Sequence, residues 1–220
     1  MQTLAEKDGT PTVLRALRFL AIRLHSREET KSLIPSVKAQ VKLVQQAADN
    51  YEQAQEERMA ASAEVEYRDH LVNAGVADLS RKALVETSND RKDPFYVRLF
   101  PTSPSEATRG VGDDRQNKYV TVLLEQLNNL SQYKLFAKEA KELGLWQQEL
   151  ETALEQRNKL YQKEAQAQIE WNIALDNARR AYNRVYFQLQ LVFDNKALIE
   201  SFFRKLRTPR KNRSDESEQS

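Results

Sequence analysis

The chain has 220 residues, of which 30% are charged, with only 5 Gly, 6 Pro and no Cys. The formal net charge of +2 does not mark a globally basic nucleic-acid binder, and the missing Cys excludes disulfides, thiolate metal sites and a cysteine nucleophile. Few breakers and abundant charge favour long helices over many short strands, and a chain free of Cys suits a reducing, cytoplasmic setting.

The spacing predicts a first helix from about Pro11–Thr12 to His25–Ser26. Leu14, Leu17, Leu20, Ala21 and Leu24 share one face, while Arg15, Arg18 and Arg23 lie towards the other. Three Arg within the apolar run argue against a secretory leader, and the flanking acids argue against a transit peptide. A structural helix is expected.

After a break at Leu33–Ser36, a long helix is expected over about 36–88. Its seam of Val37, Val41, Val44, Ala48 and Tyr51 steps by four and three. The seam weakens at Gln55, Arg58 and Ser62 and recovers at Val65, Val72, Val76 and Leu79.

An irregular linker is expected over about 89–115, where Pro101, Pro104, Gly110 and Gly112 oppose helix restart. Within it Phe95, Tyr96, Val97, Arg98, Leu99 and Phe100 form a segment too apolar for a free loop. It is either a packed plug or a docking loop.

A third helix is expected from about Asn117 to Leu143, with Val120, Leu123, Leu124, Leu127 and Leu130 on its buried side and Gly144 as a break. The longest helix then covers about 145–206. Its seam is read as Trp146, Leu150, Ala153, Arg157, Leu160, Glu164, Ala167, Trp171, Ala174, Ala178, Ala181 and Val185. Residues 210–220 are polar and charged, a composition expected to be disordered.

The most specific feature is a repeat. Ala61-Ser62-Ala63-Glu64-Val65-Glu66-Tyr67 matches Ala165-Gln166-Ala167-Gln168-Ile169-Glu170-Trp171, and the match continues to Ala77 and Ala181. The expected fold is therefore all-α: an elongated bundle of two long and two shorter helices from an internal duplication. The domains divide into repeat units at 1–102 and 117–209, a linker at 103–116 and a charged tail at 210–220. Two such copies can lie antiparallel and cover each other's apolar faces, and a parallel dimer through the long helices is the alternative.

Catalytic chemistry is not legible. His70 follows Glu66 by four residues, but its counterpart in the other copy is Ala174, which removes a duplicated Glu–His metal set. Gly110-Val111-Gly112 is a fragment of a phosphate loop and no more. The duplicated Glu66 and Glu170 read as solvated charges. No cofactor, metal or small-molecule substrate is implied.

Two segments suit partner binding. One is Phe95, Tyr96, Arg98 and Phe100. The other is Phe202, Phe203, Arg204, Lys205, Arg207, Arg210, Lys211 and Arg213, where an aromatic pair precedes six cations. The sequence thus points to a non-enzymatic structural or assembly protein that associates with itself or another protein. A peripheral membrane protein, using the basic end and the first helix on anionic lipid, is the alternative. Nucleic-acid binding through the basic segment ranks behind it.

Overall fold

The computed structural model describes residues 4–110, 114–129 and 133–205. They are helical, with no strand among them. The elements are α1 (Thr10–Leu24), a 3-10 turn (Glu28–Leu33), α2 (Ile34–Glu86), α3 (Pro94–Leu99), α4 (Pro104–Ala107), α5 (Asp114–Asn128), α6 (Tyr133–Gln190) and α7 (Lys196–Ser201). The two long helices, of 53 and 58 residues, form an all-α bundle with the shorter ones. Among the described residues no helix is long and apolar enough to cross a membrane.

Several expected boundaries move. The longest helix begins at Tyr133 and ends at Gln190, not at 145 and 206. Gly144 does not break it, because a helix tolerates one glycine when its neighbours are good helix formers. The third helix accordingly stops at Asn128, and Leu130 lies outside the described residues. The stretch expected to be irregular contains α3 and α4. Each places its Pro in the first helical turn, where a missing N–H costs no hydrogen bond. Asp93 caps α3 by accepting from the Phe95 N–H at 2.8 Å.

The order of shorter helix, long helix and six-residue helix occurs twice, as α1–α2–α3 and α5–α6–α7. The compact units divide the chain differently. One contains 1–52 with 166–220, and the other is 53–165. Each unit therefore takes the opening of one repeat and the close of the other.

In the first unit the apolar face of α1, including Leu17, Leu20 and Leu24, is fully buried against α2 and α6. From α6 come Leu175, Ala178, Tyr182, Val185 and Leu189, and Ile199, Phe202 and Phe203 complete the core. Tyr51 of α2 stacks on Trp171 of α6 at 5.1 Å between centroids. The entry to α1 is tied down by polar contacts. The Trp171 indole donates to Thr10 Oγ1 at 2.9 Å, and the Arg179 guanidinium donates to the Glu6 and Asp8 carbonyls. Buried Thr30 donates its hydroxyl to the Leu24 carbonyl at 2.6 Å, satisfying an end of α1 that has no helical partner.

In the second unit α5 covers α2 and α6 through Val120, Leu123 and Leu127, and α3 adds Tyr96 and Leu99. The helices α2 and α6 run antiparallel here, since Arg58 meets Glu164, Arg68 meets Glu149 and Lys82 meets Glu139. The first of these pairs falls in the stretch where the seam lacks apolar residues. Arg58 also lies over the Tyr161 ring at 5.2 Å, so charge and ring contacts replace packing there.

Burial follows the same steps in both repeats. In α1 it falls on Val13, Leu17, Leu20 and Leu24, and in α5 on Gln116, Val120, Leu123 and Leu127. In the C-terminal part of α2 it falls on Val65, Asp69, Val72, Val76, Leu79 and Ala83, and in that of α6 on Leu175, Ala178, Tyr182, Val185 and Leu189, preceded by half-buried Trp171. The gap-free match of Ala61–Tyr67 with Ala165–Trp171 does not keep this register. It pairs fully buried Val65 with Ile169, which is 54% exposed.

Candidate functional site

The first unit carries a cleft of about 620 Å³ between α2 and α6. Its apolar floor comes from Leu43 and Ala47 on one helix and Ile173, Ala174 and Ala181 on the other. Leu43 and Ile173 are 52% and 54% exposed, so large apolar side chains stand open to solvent in the cleft. Glu170, Arg180 and Arg184 supply charge around them. The Glu170 carboxylate accepts from Gln166 Nε2 at 2.8 Å.

This placement corrects the expected seam of α6 at Ala181, whereas its Ala178 and Val185 are core residues as expected. Ala174 and Ala181 line the cleft, whereas Leu175 and Tyr182 face the core. Small residues on the cleft side let another backbone come close. Burial pushes the Tyr182 phenol up to about 12, which keeps it neutral in the core.

The second unit has a smaller cleft of about 470 Å³, lined in part by Glu64, Arg68, Glu149 and Thr152. Its charges answer one another. Arg68 pairs with Glu64 at 2.6 Å and with Glu149 at 2.5 Å, and the Glu64 hydrogen bond is the main reason its guanidinium pKa is raised.

The same unit holds a polar network inside its core. Gln116 Nε2 donates to Asn73 Oδ1, and Asn73 Nδ2 donates to the buried Asp69 carboxylate, both at 2.9 Å. Ser80 and Tyr96 share a hydrogen bond of 2.9 Å. Burial first, and then the nearby Tyr96, pushes the Tyr119 phenol up to about 12. These groups fix α5 and α3 against α2, because a buried polar group is stable only when partnered.

The sequence-predicted binding residues separate by burial. Tyr96 and Phe100 are core residues of the second unit, and Phe95 is half-buried against Phe136 at 6.0 Å. Arg98 is exposed. Phe202 and Phe203 are core residues of the first unit. Phe203 meets Tyr182 edge-on at 5.1 Å, and Phe202 stacks on Phe193. Arg204 and Lys205 are exposed, while Arg207, Arg210, Lys211 and Arg213 lie outside the described residues. Tyr96, Leu99 and Phe100 occupy the spacing that Ile199, Phe202 and Phe203 repeat.

His25 and His70 are both exposed, and Glu66 and Glu170 belong to different units. Among the described residues no group of three His, Cys, Asp or Glu is placed to hold a metal ion. The cleft residues escaped sequence reading because nothing in their types is unusual. Their signal is Ile173, a large apolar residue of α6 outside the expected seam.

No family model, no curated protein and no solved structure matches the chain.

Proposed function

We propose that this chain is a non-enzymatic assembly protein that associates with a second copy of itself through the α2–α6 cleft of its first unit. The observation that carries the reading is the self-complementary order along α6. Glu170, Ile173, Asn177, Ala181 and Arg184 follow one another on the cleft face, and Asn177 lies midway between Glu170 and Arg184. Two copies of α6 laid antiparallel about Asn177 bring Glu170 of each against Arg184 of the other. Ile173 then meets Ala181. A twofold contact needs a surface that complements itself in this way.

The floor supplies the attraction, since Leu43 and Ile173 leave water on pairing. The charges set register more than affinity, because exposed ion pairs contribute about 0–1 kcal/mol each.

Light scattering coupled to size-exclusion chromatography tests this. The expected mass is twice the 25.5 kDa of one chain at high protein concentration, falling to one on dilution. Glu170→Arg and Arg184→Glu each place like charges together twice in the dimer and should shift it to monomer. The double exchange should restore the dimer. A monomer at every concentration, or a double exchange no better than either single one, would remove the reading.

A further inference from the structure

The two clefts occupy equivalent places in the two long helices. The step that relates Val65 to Trp171 and Leu79 to Val185 in the cores also relates the cleft linings. It matches Glu64 with Glu170, Arg68 with Ala174, and Glu149 with Leu43, and each of these lines its own cleft. Ala153 and Ala47 match in the same way.

The shared plan is completed differently. In the second unit Arg68 closes the cleft from within. It donates to Glu64 on its own helix at 2.6 Å and to Glu149 on the other helix at 2.5 Å. Its guanidinium also lies 5.5 Å from the centroid of the Tyr67 ring. One long amphipathic side chain thus joins two acids and covers an apolar neighbour.

In the first unit the places of Arg68, Glu64, Glu149 and Tyr67 are taken by Ala174, Glu170, Leu43 and Ile173. Alanine is too short to reach Glu170, whose carboxylate accepts from the neutral Gln166 amide. Leu43 and Ile173 stand open to solvent. An acid beside two uncovered apolar side chains suits an arginine, with its guanidinium on the acid and its stem on the apolar pair.

The arginines of this cleft cannot supply that group to their own Glu170. Arg180 and Arg184 follow it on the same helix, about 15 and 21 Å further along the axis. In a second copy laid antiparallel about Asn177, the residue opposite Ala174 is Arg180.

We propose that Arg180 of a second copy takes, in the first cleft, the place that Arg68 takes in the second. Its stem covers Leu43 and Ile173, and its guanidinium joins Glu170. The inference rests on the twofold pairing at this cleft and adds the side chain that fills it. The difference between the clefts then has a consequence. The second unit carries its own arginine and is closed to such a partner, so pairing is confined to the first unit.

Sedimentation equilibrium of the full chain tests this. Arg180→Ala should raise the dimer dissociation constant at least about fivefold, because the twofold axis repeats the lost contact. Ala174→Arg should give a monomer, since its guanidinium meets Arg180 of the other copy at both symmetry-related places. Ala174→Arg with Arg180→Ala moves the arginine from the partner into the chain itself, as Arg68 stands beside Glu64. That double variant should dimerise again. Arg180 is exposed, so thermal unfolding of Arg180→Ala followed at monomeric concentration should match that of the parent.

No effect of Arg180→Ala, or a double variant no more dimeric than Ala174→Arg, would overturn the inference. If Glu170→Arg still broke the dimer and its combination with Arg184→Glu still restored it, the wider reading would stand without this one. A parent chain that is monomeric at every concentration would remove both.

Discussion

Two glycines lie inside the long helices of the second unit, and their surroundings predict opposite outcomes on substitution. A Cβ at Gly75 would stand 2.9 Å from Trp146 Cζ3 and 3.2 Å from Leu143 Cδ1. Trp146 is large and half-buried, so it cannot withdraw without opening the core around Leu143. Gly75→Ala gains about 1 kcal/mol of helix propensity but loses more to overpacking, which costs about 1–3 kcal/mol. A net fall in stability is expected. At Gly144 the nearest atom to a new Cβ is Leu124 Cδ1, at an ordinary 3.8 Å. Gly144→Ala should therefore stabilise by roughly 0.5–1 kcal/mol. Urea denaturation of both variants checks the pair. Sequence alone reads Gly144 as a stop and does not single out Gly75. What distinguishes them is the tryptophan that faces one and not the other, across a contact that no local pattern records.

The long helices were legible as elements, and their core faces were legible in part. Val37, Val44, Val65, Val72, Val76 and Leu79 follow the steps of four and three that mark a seam, and all are buried. On α6 the expected seam holds after Trp171 at Ala178 and Val185 but misses Leu175, Tyr182 and Leu189, which are also buried. Alanines at 174, 178 and 181 fit either face by size, so composition does not decide the phase there; packing against α1 and α7 does. Tyr182 makes the core phase testable through its proton. Its folded pKa of about 12 stands above the ordinary value of 10, so its contribution is intact below pH 10 and declines as pH rises towards 12. The stability of the parent chain should fall more steeply across that interval than that of Tyr182→Phe, as measured by denaturant melts at each pH. Equal slopes would mean the phenol is open to water. The binding segments were legible only as a mixture. Phe202 and Phe203 signal burial as strongly as they signal docking, and the structure assigns them to the core while Arg204 and Lys205 remain exposed. Leu191 and Val192 read as the tail of a helix because nothing in their neighbourhood announces that α6 stops at Gln190.

For the molecule as a whole, the repeats and the compact units are different divisions of one chain. Residues 1–102, which the sequence reads as one repeat unit, contain α1 and α2 but none of the α6 residues that cover them. The closing repeat, 117–209, likewise contains α6 without the α2 residues it packs on in the second unit. Expressed separately, fragments 1–102 and 117–209 should each lack a cooperative thermal transition by circular dichroism, and mixing them should restore one. Cooperative melting of 1–102 as a monomer would instead make the repeat the folding unit.

The two units also stand differently with respect to the direction of protein synthesis. The second is one continuous stretch, 53–165, and all of it exists before residue 166 is made. The first unit must wait. Leu17, Leu20 and Leu24 of α1 are translated before the second unit, yet their native neighbours Leu175, Tyr182 and Leu189 are translated after it. While the second unit is made, α1 carries an apolar helix face that lacks its α6 cover, and exposed apolar surface of this kind is open to aggregation. The second unit is therefore complete in the chain while α1 still waits for residues made after it.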